Sequence, residues 1–193
     1  AKNKGIKLFT SDYALYWWDY QAGYDTVFAE LGWNISSSRQ IALCRGAADM
    51  QGKDWGAIIT WKTDNPPYLA RGEEIYGDMV SAYVAGAKYV IVFNYPKYPQ
   101  GNPYGILTED HFSAMQNFWS YIHAYPRSIY GTVDAQAVLV LPKDYGWGMR
   151  RSQYIVQDKI WGLWLEDEKA PVILSSVNKL DGKYHLQLDI IYE

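Results

Sequence analysis

The stretch Tyr24-Asp-Thr-Val-Phe-Ala-Glu-Leu-Gly-Trp-Asn34 joins a short strand to a group of polar and aromatic side chains. Val27 and Phe28 are strong strand formers, so the first half of the stretch predicts a buried strand over residues 24–31. The second half places a carboxylate, an indole and an amide close together: Glu30, Trp33 and Asn34. This combination predicts a functional site at the end of the strand.

Two later apolar runs, Ile58–Trp61 and Val90–Tyr95, end in the same style. If the three strands run parallel, their carboxyl ends meet at one edge, which is where parallel sheets and barrels bind ligands. Indole faces, amides and a carboxylate together are typical of a carbohydrate site. The expected substrate-binding residues are Trp33, Asn34, Trp61, Asn94 and Tyr95.

Strands and helices alternate along the first part of the chain. Apolar runs predict strands over residues 6–10, 24–31, 55–61 and 88–94, and periodic segments predict helices over residues 12–20, 38–51, 69–85 and 108–124. The strand starts near 25, 55 and 88 are spaced by about the length of one strand-plus-helix unit. The fold class is therefore α/β, with successive β-α units, a parallel sheet and right-handed crossovers.

The pattern changes after Pro126. A new strand is predicted over residues 134–141, followed by helices near 158–165 and 171–183 and by a last strand over 186–192. We therefore expect two portions, with a boundary between residues 126 and 127.

The composition excludes several classes of partner. The net charge of −3, with both signs mixed, gives no electrostatic reason to expect nucleic acid or an anionic membrane. No apolar run approaches the roughly 18 residues of a spanning helix. Cys44 is the single cysteine, and no nucleotide-binding glycine motif is present, so we expect no metal and no cofactor. The 9 Trp and 18 Tyr against 5 Phe suit flat ligands or a core of large rings.

Several runs resemble the later units of (β/α)8-barrel glycoside-hydrolase-like proteins. These runs are Phe28–Asn34, Arg45–Ala48, Lys53–Trp61 and Gly86–Asn94, while Val138–Pro142 with Asp189–Tyr192 resembles the start of a following flavodoxin-like domain. A whole barrel needs roughly 250 residues. The resemblance therefore implies a partial, TIM-barrel-like portion over residues 1–126 and the start of a second α/β unit over residues 127–193.

The resemblance implies a carbohydrate-active hydrolase, which generally needs two carboxylates. Glu30 is the best strand-end carboxylate, and Asp12 is the best second candidate because it follows the strand at 6–10. Each has a structural alternative. For Glu30 it is a contact that holds Arg39 or a backbone amide, and for Asp12 it is a helix cap alone. The functional alternative is a non-catalytic carbohydrate-binding or structural module derived from a barrel.

A half barrel predicts a partner. Its two open strand edges and apolar face would pair with other chains unless they were covered. We therefore expect a homo-oligomer or the remainder of a longer parent chain, beside a carbohydrate ligand. The continuous apolar strand Tyr89–Phe93 is expected in the interior of a sheet. The sequence indicates no cellular compartment.

Overall fold

A computed structural model describes residues 5–32, 35–60, 70–93, 107–143, 145 and 170–193. The elements are β1 (Phe9–Asp12), α1 (Tyr16–Ala22), β2 (Thr26–Leu31), α2 (Ser37–Met50), β3 (Asp54–Ile59), α3 (Gly72–Val84), β4 (Tyr89–Val92), α4 (Glu109–Ala124), α5 (Arg127–Tyr130), β5 (Ala137–Leu141), α6 (Ala170–Tyr184) and β6 (Leu188–Tyr192), with a 3-10 turn at His185–Gln187. None of the described helices has the length and apolar character needed to cross a bilayer.

The first four strands form one parallel sheet in the order β1-β2-β3-β4. This confirms the α/β class, the parallel pairing and the alternation of strands with helices. Neighbouring strands are consecutive in sequence, and right-handed crossovers then place every connecting helix on the same face of the sheet. The packing agrees, because the core joins residues of α1, α2 and α3 to alternate strand residues such as Val27, Ala29, Ala57 and Ile59.

The start of the chain differs from its prediction. The first strand begins at Phe9 and continues through Ser11 and Asp12, and the first helix begins only at Tyr16. The predicted strand at 6–10 and helix at 12–20 are therefore displaced toward the carboxyl terminus. Ser and Asp often cap helices, but Ser11 and Asp12 pair with β2 in the parallel sheet and therefore belong to the strand.

Other helix ends follow their local signals. The hydroxyl of Ser36 accepts a hydrogen bond from the amide of Arg39 and so caps α2. Gly23 ends α1 with φ of 109°, a conformation that favours glycine. Thr108 is the N-cap of α4, and its amide donates to Nδ1 of His111 at 3.2 Å.

The face of the sheet opposite the helices carries a cluster of three rings at its amino-terminal end. Phe9, Phe28 and Tyr89 lie with centroids 5.8 to 6.2 Å apart. Phe28 also covers Gly56 of β3, where an added Cβ would lie 2.6 Å from the phenyl ring. We call the side of the sheet that bears these rings the open face, because the helices pack on the other side.

Strand β4 lies at the edge of the described sheet, beside β3 alone. Within the described sheet Tyr89–Phe93 is therefore an edge strand, and its interior position in an assembly with a partner stays a prediction. The apolar run is real, but Ile91 and Phe93 are exposed. A strand with apolar side chains on both faces has the same sequence pattern whether one or two strands lie beside it in the sheet.

The last two strands, β5 and β6, form a separate parallel pair that packs on the far side of α2. Helix α2 is consequently covered on all sides, and the nine consecutive residues from Gln40 to Ala48 are buried. The side chains of Trp17 and Trp18 contact the ring of Tyr192, with centroids 5.3 and 5.1 Å away. The boundary at 126/127 stays a prediction, and the helix near 158–165 lies outside the described residues.

Candidate functional site

Glu30 is the second-to-last residue of β2, at the carboxyl end of the parallel sheet. Its side chain is half-buried, and Oε1 accepts a hydrogen bond of 2.9 Å from the hydroxyl of Ser11 on β1. The register pairs Ser11 with Phe28, so strand alternation puts Ser11, Phe28 and Glu30 on the open face. The carboxylate therefore lies at the edge where parallel sheets bind ligands.

Asp12 has a different role in the described structure. Its register partner is Ala29, on the helix side of the sheet. Oδ1 of Asp12 accepts the amide hydrogens of Ala14 and Leu15 at 2.7 and 2.8 Å, which turns the chain into α1. The structure thus brings Glu30 together with Ser11, while it engages Asp12 with the backbone. The catalytic role of Asp12 stays a prediction.

A buried polar group lies behind this edge. The phenol of Tyr16 donates to the amide oxygen of Gln40, and both side chains are buried. Burial raises the pKa of the Tyr16 phenol, and nearby negative charges, including those of Asp12, Glu30 and Asp19, raise it further. The Tyr16 phenol therefore stays neutral and donates its proton to the hydrogen bond with Gln40.

A cavity of about 380 Å³ opens at the same edge. Gly32 and Thr60, which follow β2 and β3, form one wall, and the first turns of α2 and α3 form the other. Its polar lining includes Ser37, whose hydroxyl donates to Asp78 at 2.7 Å. A cavity of this size is in the range that holds a small ligand.

The other predicted substrate-binding residues, Trp33, Asn34, Trp61, Asn94 and Tyr95, lie outside the described residues. One structural alternative for Glu30 is an ion pair with Arg39, so the contacts of Arg39 bear on the role of Glu30. The Arg39 guanidinium donates to Asn178 at 2.7 Å and lies 3.7 Å from Asp181, and both of these residues are on α6. Glu30 accepts a hydrogen bond from the Ser11 hydroxyl.

A second cavity, of about 300 Å³, lies at the opposite, amino-terminal edge of the sheet. Charged side chains line it, and several are already paired. Lys88 bonds Asp54 at 2.6 Å, and Arg45 bonds Asp189 at 2.7 Å. This end of a parallel β/α fold generally serves stability. Sequence reasoning missed these pairs because their partners are far apart in the chain.

Within the described ranges, no cluster of three or more His, Cys, Asp or Glu side chains has the arrangement of a metal site. Glu74, another acid at the carboxyl edge, has a structural role. Its carboxylate accepts a hydrogen bond from the backbone amide of Arg71 at the start of α3. Neighbouring Glu73 is exposed.

Asp19 on α1 predicts a pH dependence of stability. Burial raises the pKa of its carboxyl to about 7, and the charge of Asp12 contributes in the same direction. One carboxyl oxygen is buried without a hydrogen-bond partner among the described residues. The unfolded chain ionises this group near its usual pKa while the folded protein still binds the proton. The contribution of Asp19 to stability therefore falls as the pH rises from about 4 to about 7.

We expect Asp19→Asn to stabilise the protein at pH 8 by about 1–2 kcal/mol. The effect is no larger because solvent screens part of the charge on this half-buried side chain. At pH 4 the two proteins should differ little. Urea unfolding of both proteins at both pH values measures the difference in the free energy of unfolding. An equal effect of Asp19→Asn at both pH values would contradict the assignment.

Comparisons of the sequence with models of protein families and with curated proteins, and of the fold with solved structures, gave no match.

Proposed function

We propose that this chain is part of a carbohydrate-active hydrolase whose site lies at the carboxyl ends of β2, β3 and β4. The observation that supports this most is the position of Glu30. Its carboxylate is on the open face, at the carboxyl end of a central strand, and is oriented by the Ser11 hydroxyl. The fold alone carries no function, so the proposal depends on this site.

Glu30 supplies the acid–base or nucleophilic chemistry in this proposal. Hydrolysis of a glycosidic bond needs a group that donates a proton to the leaving oxygen, and a second carboxylate that activates water or attacks the sugar. Ser11 is a positioning residue, because its hydrogen bond fixes the rotamer of Glu30. A sugar brings hydroxyl groups, which can donate hydrogen bonds to a carboxylate and exchange them with a serine hydroxyl.

The proposed substrate contacts are Trp33, Asn34, Trp61, Asn94 and Tyr95. They are proposed as contacts because they follow β2, β3 and β4 in sequence. Indole and phenol rings stack on the apolar faces of sugars, and the amides donate to and accept from hydroxyl groups.

A second candidate function is sugar binding without hydrolysis. The observation that favours it is the engagement of Asp12 with the amides of Ala14 and Leu15. In the described residues this leaves Glu30 as the carboxylate on the open face at the carboxyl edge. A binding module needs only one such acceptor for a sugar hydroxyl.

Hydrolysis of a panel of aryl glycosides and oligosaccharides separates the two. We expect turnover of at least one substrate, and we expect Glu30→Gln to lower kcat/KM by about a hundredfold, because an acid–base group contributes at least this much. Glu73→Gln is the matched control: this glutamate is exposed on α3 and its replacement should leave the rate unchanged.

Ser11→Ala adds a finer test, since loss of one hydrogen bond to a carboxylate should reduce kcat by roughly tenfold with little change in KM. Binding of a sugar by calorimetry, with no turnover in wild type, would support the binding module instead. Turnover that survives Glu30→Gln at the wild-type rate would exclude Glu30 from the chemistry.

A further inference from the structure

The open face of the four-stranded sheet carries exposed apolar side chains at both of its outer strands. Phe9 on β1 is 47% exposed, and at the other edge Ile91 and the following Phe93 are 43% and 45% exposed. Both outer strands also present an unpaired row of backbone donors and acceptors within the described sheet. The surface that needs covering therefore includes two strand edges as well as side chains.

Helix α4 extends this surface. It follows β4 and packs on α3, with rings of Tyr83 and Phe118 meeting edge to face at 6.0 Å. Phe112 and Trp119, seven residues apart and thus on one side of the helix, are 58% and 64% exposed. In a right-handed β-α unit, a helix in this position covers the groove between its own strand and the next. No further strand follows β4 in the described sheet.

We propose that a second copy of this chain covers the open face, so that two four-stranded sheets close into one eight-stranded parallel barrel. A two-fold axis parallel to the strands keeps all strands pointing the same way. It places β4 of each copy beside β1 of the other, so the two free edges meet twice in the same arrangement. Eight strands is the number at which side chains alone fill a barrel interior.

The size of the surface agrees with this occupant. Four strands at about 4.8 Å spacing, each about five residues long, give a face of roughly 19 by 17 Å per copy. Two such faces, four strand edges and the flanks of both α4 helices together exceed the roughly 1,000 Å² expected of a stable interface. A single helix or peptide could cover the side chains but would leave at least one strand edge unpaired.

The assembly also changes the candidate site, and this part rests on the proposed function. In an eight-stranded barrel, β2 of one copy lies opposite β2 of the other. Both Glu30 side chains then point into one mouth from opposite walls. The second carboxylate that glycoside hydrolysis requires would thus be the same residue of the second copy.

The mass of the purified chain in solution tests the assembly. We expect light scattering to give twice the chain mass of 22.2 kDa. Ile91→Lys should give the single-chain mass with an unchanged circular dichroism spectrum, since position 91 is exposed in one copy but inside the barrel in two. Val172→Lys is the control: this residue is exposed on α6, away from the sheet, and its replacement should leave the dimer intact.

A folded wild-type chain that stays at the single-chain mass at all concentrations would overturn the proposal, and so would a dimer that Ile91→Lys leaves unchanged.

Wild type refolded together with an equal amount of the Glu30→Gln variant tests whether the two copies share one site. Activity should fall to about a quarter of the all-wild-type value, because only one dimer in four keeps both carboxylates. A fall to one half would mean independent sites. Dimers without turnover would refute the proposed function alone, and active monomers would refute the assembly alone.

Discussion

Replacing Arg45 with methionine should lower the free energy of unfolding by about 3–5 kcal/mol, because it leaves a buried charge without its partner. Arg45 on α2 is 5% exposed, and its Nε bonds Oδ1 of Asp189 on β6 at 2.7 Å. Its terminal nitrogens donate to three backbone carbonyls, those of Val133, Leu186 and Leu188. One side chain thus ties the helix to the second sheet. Urea unfolding followed by tryptophan fluorescence measures the loss.

The double replacement Arg45→Met with Asp189→Leu separates the ion pair from simple packing. Removing both charges should recover part of the lost stability, since an apolar pair needs no desolvation of ions, while the three carbonyls still lack their donor. Asp49 provides a second readout. Burial raises the pKa of its carboxyl, the charge of Asp189 raises it further and Arg45 lowers it. Without Arg45 the two acids repel, so the single variant should lose less stability at pH 4 than at pH 7. An equal loss in the single and double variants would contradict this account.

The sequence predicted the strands and helices well because each apolar run and cap reports a local preference. It failed at β1 because Ser11 and Asp12 suit a helix cap and a strand end equally, and only the ladder with β2 decides between them. It did not show that β4 lies at the edge of the described sheet, because an apolar run specifies burial of side chains without specifying how many strands lie beside them. Both differences concern neighbours that are distant in the chain.

The candidate site was predictable in part for the same reason. A carboxylate at the end of a buried strand is visible in sequence, and Glu30 lies where that pattern places it. Ser11 was not visible as its partner, because their contact depends on the register between two strands 19 residues apart. The two-sided burial of α2 had a signal, namely its run of alanines with Cys44 and Gly46. The pairing of Arg45 with Asp189, 144 residues away, had none.

Replacing Gly46 with alanine is expected to cost about 2–3 kcal/mol, although alanine is the better helix former. A Cβ at position 46 would lie 2.5 Å from the carbonyl oxygen of Ile190 and 3.1 Å from its carbonyl carbon. Both atoms belong to the backbone of β6, so a side-chain rotation cannot relieve the contact, and the strand must move away from α2. This cost exceeds the gain in helix propensity of about 1 kcal/mol. Chemical unfolding of the purified variant gives the change.

Gly77→Ala is the matched control, since Gly77 lies inside α3 and a Cβ there would meet no atom within 4 Å. This substitution should stabilise the protein by about 0.5–1 kcal/mol through helix propensity alone. The two alanine variants therefore differ in sign, and their difference isolates the close approach of β6 to α2. If Gly46→Ala were also stabilising, the second sheet would not pack on α2 in solution as closely as described. The ring contacts of Tyr192 with Trp17 and Trp18 should then also be lost, which the near-ultraviolet circular dichroism of these tryptophans would report.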